Sequence, residues 1–298
     1  MWERGWTKYA LYAWAARLSR RRSRAEAYRL AERLSFWFYL CDSRGRRGVG
    51  ANLARIHAAL GRPLPPSAAR RTFANFSRYL VDFFRFSADE FSALEPELGG
   101  DSFDVLDELR AAGKGVVLIT AHLGNWELGG LALAAAGYPL NVVYLPSGNR
   151  RLDEFFAATR QRRGLRTIPL GRAARESLRA LRRNECIALL ADRDFTAHGA
   201  TVSLFGAPAR LPSGPALLAW QTGAPILPGC ALRRADGLGY DMKFFDPIVP
   251  AADGAPECLQ DPIARRLETM IAADPCQWFV FEDFWRPRAA PARRPRFG

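Results

Sequence analysis

His122 and Glu127 stand in the run Thr120-Ala-His-Leu-Gly-Asn-Trp-Glu127. A neutral imidazole can accept a proton from a hydroxyl. A carboxylate on its other ring nitrogen would fix the tautomer and stabilise the imidazolium that forms. If the attacking hydroxyl belongs to a substrate, no serine or cysteine nucleophile is required of the protein. The flanking sequence says how the pair is positioned. Gly115-Val-Val-Leu-Ile119 is a short apolar run that reads as a buried strand. Leu123-Gly-Asn125 turns the chain, and Trp126–Ala136 reads as a helix. The imidazole therefore sits at the mouth of a strand-to-helix turn, where α/β sheets present their chemistry.

From about residue 101 strands alternate with helices. Helical patterns at Phe103–Ala112, Leu152–Gly164, Ala173–Arg183 and Leu217–Thr222 are interleaved with strands at Leu140–Leu145, Thr167–Leu170, Cys186–Ala191 and Pro225–Pro228. This predicts an α/β fold with a mixed, mostly parallel central sheet flanked by helices. Three regions are expected: a helical N-terminal region (1–100), an α/β core (101–287) and a disordered Pro/Arg/Ala-rich tail (288–298). In the first, residues 1–24 combine Trp2, Trp6, Tyr9, Tyr12 and Trp14 with Arg20-Arg-Arg22 and Arg24. That stretch reads equally as a membrane-interface segment or as an amphipathic helix on the core. Ala25–Leu40 continues helically into the aromatic Ser35-Phe-Trp-Phe-Tyr39, Ser43–Gly50 reads as a turn, and Ala51–Leu60 as a helix. Ser67 is placed to cap a helix running to about Phe86, whose aromatic end from Tyr79 either packs in the core or lines an apolar groove.

Hydrophobic residues make up 49% and charged residues 24%, so a sizeable core is available. The departure is charge: 43 Lys+Arg against 30 Asp+Glu leave +13, almost all of it arginine. Such a surface suits nucleic acid, anionic membrane, phosphorylated substrates or an acidic carrier protein. The basic residues are spread along the chain without a recognised nucleic-acid motif, so no nucleic-acid partner is expected. Five scattered cysteines form no CxxC pair, which favours a reducing compartment, and three dispersed histidines suggest no metal site. No stretch reaches the roughly 18 apolar residues of a spanning helix, and no signal peptide is recognisable.

Two further segments could meet an anionic substrate. Asp192-Arg-Asp194 follows the Cys186–Ala191 strand; Arg193 could clamp a phosphate while Asp192 and Asp194 hold it or sugar hydroxyls. On spacing alone, a surface salt-bridge cluster is the favoured reading of these residues. In Arg210-Leu-Pro-Ser-Gly-Pro-Ala216, Ser213 suits an N-cap, and Gly214 with Pro215 opens a helix whose N-terminus would face an anion beside Arg210. An ordinary well-capped helix is the alternative.

Taken in order, His122-Leu-Gly-Asn-Trp-Glu-Leu-Gly-Gly130, Asp192-Arg-Asp-Phe195, Arg210–Ala216 and Thr222-Gly-Ala-Pro-Ile-Leu-Pro228 resemble the motif blocks of the glycerolipid acyltransferase superfamily. The resemblance is to the bacterial branch of the lipid A lauroyl and myristoyl transferases and the phosphatidylinositol mannoside acyltransferases. Asn149 with Arg160 or Arg163 matches its second block, and Gln277-Trp-Phe279 with Trp285 its aromatic C-terminal signature, so the likeness spans roughly residues 45–287. It implies a membrane-associated O-acyltransferase that moves a long-chain acyl group from acyl carrier protein or acyl-CoA to a hydroxyl of a lipid or glycolipid. His122 would be the base and Glu127 its orienting partner. Substrate would meet Asn125, Asn149, Arg160, Arg163, Asp192, Arg193, Asp194, Arg210, Ser213 and Gly214. The oxyanion would lie on backbone N–H groups around Gly124 or at Ser213-Gly214. No metal or redox cofactor is implied, and the expected location is the cytoplasmic face of the inner membrane. The chain departs from the branch at Leu145, where relatives often carry arginine, at Glu282-Asp283, where basic residues are common, and in its short aromatic-basic N-terminus. The alternatives are acylation of another lysophospholipid or aminolipid, or a non-catalytic basic protein binding membrane or nucleic acid.

Overall fold

Val116–Thr120 (β2) is apolar on both faces, as a parallel strand covered by helices on each side must be. The computed structural model describes residues 2–85, 98–162, 164–196, 198–237 and 239–286; in the first helix it includes the side chains of residue 10 and of 12 onward. Phe86, Arg163 and the tail after Pro287 lie outside these residues. Around β2 the strands are β1 (Leu98–Gly100), β3 (Leu140–Tyr144), β4 (Arg166–Pro169), β5 (Cys186–Leu190), β8 (Ile226–Arg233) and β9 (Tyr240–Phe244). They form a seven-stranded sheet in the order β1-β9-β8-β2-β5-β3-β4. The run from β8 to β4 is parallel, β9 is antiparallel to β8, and β1 joins β9 in parallel. The expected mixed, mostly parallel α/β architecture is the one observed. β6 (Ala200–Leu204) and β7 (Ala207–Leu211) make a separate antiparallel hairpin that the sequence pattern did not announce.

Strand alternation divides the core between two faces. On one side Val117, Ile119 and Ile187 pack with Leu181, Ala216 and Leu267 from α8 (Ala173–Arg182), α9 (Gly214–Thr222) and α10 (Gln260–Ala273). On the other, Val116, Leu118 and Leu140 pack with Leu106 and Leu133 from α5 (Asp104–Ala111) and α6 (Trp126–Ala135). Each fully buried leucine or isoleucine of these layers contributes on the order of 1.5–3 kcal/mol relative to exposure.

Four helices precede the sheet: α1 (Trp2–Arg20), α2 (Arg24–Cys41), α3 (Ser43–Ala59) and α4 (Ala68–Arg85). α1 turns Tyr12 edge-on to Phe84 and to Phe156 of α7 (Arg150–Gln161), while Trp14 is exposed. Ser23 and Glu26 form a reciprocal capping box at the start of α2. The turn expected at Ser43–Gly50 is instead the first half of α3. Its glycines serve packing: Asp42 accepts from the Gly45 N–H at 2.8 Å. A Cβ on Gly48 would lie 2.7 Å from the Phe281 carbonyl oxygen, so only glycine lets the helix press on that segment.

The helical layer is joined to the sheet by a buried polar cluster. Asp82 of α4 accepts from Tyr28 of α2, Tyr240 of β9 and the Arg233 guanidinium of β8. Burial and the neighbouring Asp82 charge push the Tyr28 hydroxyl up to about 12, so it stays a donor. At the far side of the sheet Glu185 takes hydrogen bonds from Arg183 (2.9 Å), Arg166 (3.0 Å) and Asn141 (2.9 Å). Chiefly through Arg183, and against the cost of burial, its carboxyl is held down at about 2. A carboxylate with a depressed folded-state pKa stabilises the fold above its ordinary value of 4.5 and loses that contribution as pH falls towards about 2. Glu185→Gln should therefore be less stable than wild type at pH 7. In urea titrations the gap should close progressively between about pH 4.5 and pH 2. A gap unchanged across that interval would refute the assignment.

Candidate active site

The chain leaves β2 at Thr120 and reverses through Ala121–Asn125 into α6. Gly124 adopts φ +61°, and a Cβ there would lie 2.0 Å from the Ala231 carbonyl oxygen. Both conditions demand glycine in the His-Leu-Gly-Asn turn. The turn is stapled on all sides. Phe279 N–H donates to the His122 carbonyl at 2.7 Å, Gly124 N–H to Gln277 at 3.0 Å, and Asn125 N–H to Ala231 at 2.8 Å. Asn125 is buried and caps α6 by accepting from Leu128 N–H, while its amide donates to the Tyr240 hydroxyl. Asn125 thus holds the turn. The N–H groups of Gly124 and Asn125 are committed to carbonyls, which overturns the expectation of an oxyanion site there.

His122 Nδ1 lies 2.8 Å from Asp192 Oδ1. Asp192 Oδ2 accepts from the His122 backbone N–H at 3.0 Å and from the Trp278 indole N–H at 2.8 Å. The Asp192 side chain is fully buried, whereas the imidazole keeps partial access. Burial opposes ionisation of Asp192, but the His122 charge and these hydrogen bonds prevail and hold it below the usual carboxylate range. An ionised Asp192 can only accept, so Nδ1 carries a proton, and in the neutral imidazole Nε2 then presents the lone pair.

This corrects the role expected of Glu127. One residue before it, Trp126 stands edge-on to the imidazole with ring centroids 5.4 Å apart. Glu127, about 100° further round the helix, meets α7 instead, where Arg160 donates to it at 2.6 Å from Nη2 and 3.2 Å from Nε. The pair is buried. Burial works against the Arg160 charge, and Glu127 more than restores it, raising the guanidinium above its ordinary value. Arg160 is therefore paired with Glu127 through Nε and Nη2, while its guanidinium stays on the wall of the adjoining cavity.

A cavity of about 980 Å³ opens beside the imidazole. Among the expected residues it brings together His122, Glu127, Arg160, Arg193, Ser213 and Gly214. Its inner wall is apolar, with Leu118, Leu133, Leu140 and Leu227 from the sheet and α6. From the helical layer come Phe76, Tyr79 and Phe83 of α4, the last two in the stretch that the sequence left between core packing and a groove. Asp192 acts on the cavity only through His122. Asn149 caps α7 by accepting from Leu152 N–H. Arg193 pairs with Glu282 and lies over the Phe195 ring, so one of the departing acidic residues has a local purpose. Asp194 ties down its own loop through Thr196 and Gly199, and Arg210 donates to the Gly199 carbonyl at 3.1 Å. Burial resists ionisation of Asp194, yet these bonds bring its pKa below the ordinary value. Ser213 does not cap α9: its hydroxyl donates to the His198 carbonyl, in the loop before the hairpin. Among the described residues, no cluster of three or more His, Cys, Asp or Glu could hold a metal ion.

Trp278 was visible in the sequence only as part of an aromatic signature, and its hydrogen bond to Asp192 had no local signal. The two residues are 86 positions apart and meet only because Leu123 and Trp278 form a β-bridge beside the turn.

The description "Bacterial lipid A biosynthesis acyltransferase" matches this chain over residues 2–287. A phosphatidylinositol mannoside acyltransferase of Mycolicibacterium smegmatis is 30% identical over 264 residues, covering 87% of this chain and 86% of the relative. A Mycobacterium tuberculosis protein of the same name is 29% identical, covering 86% and 82%. A lipid A biosynthesis acyltransferase of Haemophilus influenzae is 25% identical over 184 residues, covering 61% and 57%.

Removing one member of a buried ion pair strands the other charge, at about 3–5 kcal/mol. Glu127→Ala should cost that much in chemical denaturation. Glu127→Ala combined with Arg160→Met should recover most of it, because no unpaired charge is left. A mild single variant, or a double variant no better than the single, would contradict the buried-pair role.

Proposed function

This chain belongs to the bacterial lipid A biosynthesis acyltransferase family and is an acyltransferase acting on a lipid acceptor; on that footing we propose the following reaction. A long-chain acyl group passes from a thioester, of acyl carrier protein or coenzyme A, to a hydroxyl of a glycolipid. The observation that carries the reading is His122, with Nδ1 anchored on buried Asp192 and its ring at the wall of a deep apolar cavity. Nε2 takes the proton of the acceptor hydroxyl as its oxygen attacks the thioester carbonyl. Asp192 stabilises the imidazolium. The tetrahedral intermediate collapses by breaking the carbon–sulfur bond, and the departing thiolate receives the proton back from Nε2. The N-terminus of α9 at Ser213-Gly214 is a backbone site on the cavity suited to the oxyanion.

The apolar interior suits the acyl chain. Arg193 on the cavity wall is matched to Glu282. The named relatives favour an acceptor of the phosphatidylinositol mannoside type over a lipid A precursor. Such an acceptor resides in a membrane, and we place the enzyme at the cytoplasmic face of the inner membrane as a peripheral protein. Among the described residues no helix is long and apolar enough to cross a bilayer.

With a labelled acyl thioester and a mannosylated phosphatidylinositol acceptor, His122→Ala should fold normally and lose about 10²–10⁴-fold in turnover. Asp192→Asn should fall by a comparable or larger factor, since it no longer enforces the Nδ1–H tautomer. Undiminished transfer by His122→Ala would overturn the mechanism.

A further inference from the structure

The second helix ends in an apolar surface that the reaction does not use. Leu34, Phe36, Trp37, Phe38 and Leu40 are all exposed, Trp37 and Phe38 at 63% each. The core beneath them is already closed. Tyr39 turns inward to meet the Phe73 ring edge-on at 5.5 Å, and Ser35, Tyr28 and Ala27 form the buried side of the helix. Among the described residues nothing covers the outward rings, and so large an exposed apolar cluster marks an interaction surface.

Its surroundings specify the chemistry of the partner. Arg29 and Arg33 lie on the same exposed side, one and two turns earlier, and Arg44 and Arg47 are exposed just beyond it in α3. The nearby carboxylates are internally engaged: Glu26 with Ser23, Glu32 with Arg78, and Asp42 with the Gly45 N–H. The last carbonyls of α2 are also satisfied, because the Arg46 guanidinium donates to those of Tyr39 and Leu40. The tip can thus enter a poorly hydrated layer without exposing unpaired backbone acceptors.

We propose that the exposed α2 face from Leu34 to Leu40, with its arginine collar, docks this enzyme on an anionic lipid bilayer. Aromatic side chains settle at headgroup depth, and arginines around them meet anionic heads. A symmetric pairing of two copies through this face would bring both arginine collars together, which opposes self-association. α2 packs directly on α4, whose Phe76, Tyr79 and Phe83 line the His122 cavity, so the docked surface lies one helix layer from the acceptor site. The placement rests on the reading of the acceptor as a membrane lipid.

The test is co-sedimentation with vesicles of phosphatidylcholine alone and of equimolar phosphatidylcholine and phosphatidylglycerol. Wild type and His122→Ala should both partition onto the anionic vesicles. Trp37→Ser combined with Phe38→Ser should partition roughly tenfold or more weakly. Since both rings are exposed, this variant should keep its melting temperature and its turnover of detergent-dispersed acceptor. Wild type that ignores anionic vesicles, or a double variant that binds them undiminished, overturns the proposal. So does a wild-type dimer that the double substitution dissociates with vesicle binding intact. Loss of vesicle binding in the double variant alongside full turnover by His122→Ala would keep the docking surface and discard the catalytic reading.

Discussion

The active site depends on one buried carboxylate. Asp192 gathers the His122 ring, the His122 backbone and the Trp278 indole onto its two oxygens. An anion withdrawn from water is costly unless hydrogen bonds replace its hydration. Here three donors do so, and the same bonds set the imidazole's tautomer and direction. They also tie β2, β5 and the 277–279 segment into one unit, because each donor or acceptor comes from a different stretch of chain. A site preorganised in this way needs little rearrangement when charge develops on the imidazole.

A second buried charge does the corresponding work between layers. Asp82 in α4 is surrounded by Tyr28, Arg233 and Tyr240, and the Tyr240 hydroxyl also accepts from Asn125 in the catalytic turn. The helical layer is thereby registered against the turn that carries His122. The same helix contributes aromatic rings to the cavity wall, so its placement decides the shape of the acyl site as well as the stability of the fold. Glu127 and Arg160 complete the pattern by pinning α6 to α7 across the cavity with a matched pair of charges.

Much of the sheet was legible because its signals are local. The apolar runs of β2, β3 and β5 and the helices between them follow from periodicity and appear within about three residues of where periodicity puts them. The hairpin β6–β7 was missed: its strands alternate buried and exposed residues and so lack the continuous apolar run of β2, β3 and β5, and Pro208 interrupts β7. α3 was misread at its start because Gly45, Gly48 and Gly50 signal a turn locally, whereas Gly48 sits in the helix against residues 281–282, where a Cβ would collide with their backbone.

At the site, sequence alone determined His122 after a buried strand, a turn through Leu123–Asn125 into a helix, and Asp192 at the carboxyl end of the Cys186–Ala191 strand; Asn125, expected to meet substrate, proved to be the helix cap. Which carboxylate serves the histidine was decided by tertiary structure. Glu127 is five residues from His122 in sequence, yet helix geometry sends it to Arg160. Asp192 is 70 residues away and meets the imidazole because β5 lies beside β2 in parallel register, with Thr120 opposite Leu190. Hydrogen bonding depends on where strand ends converge, and that follows from sheet order, which no local spacing encodes.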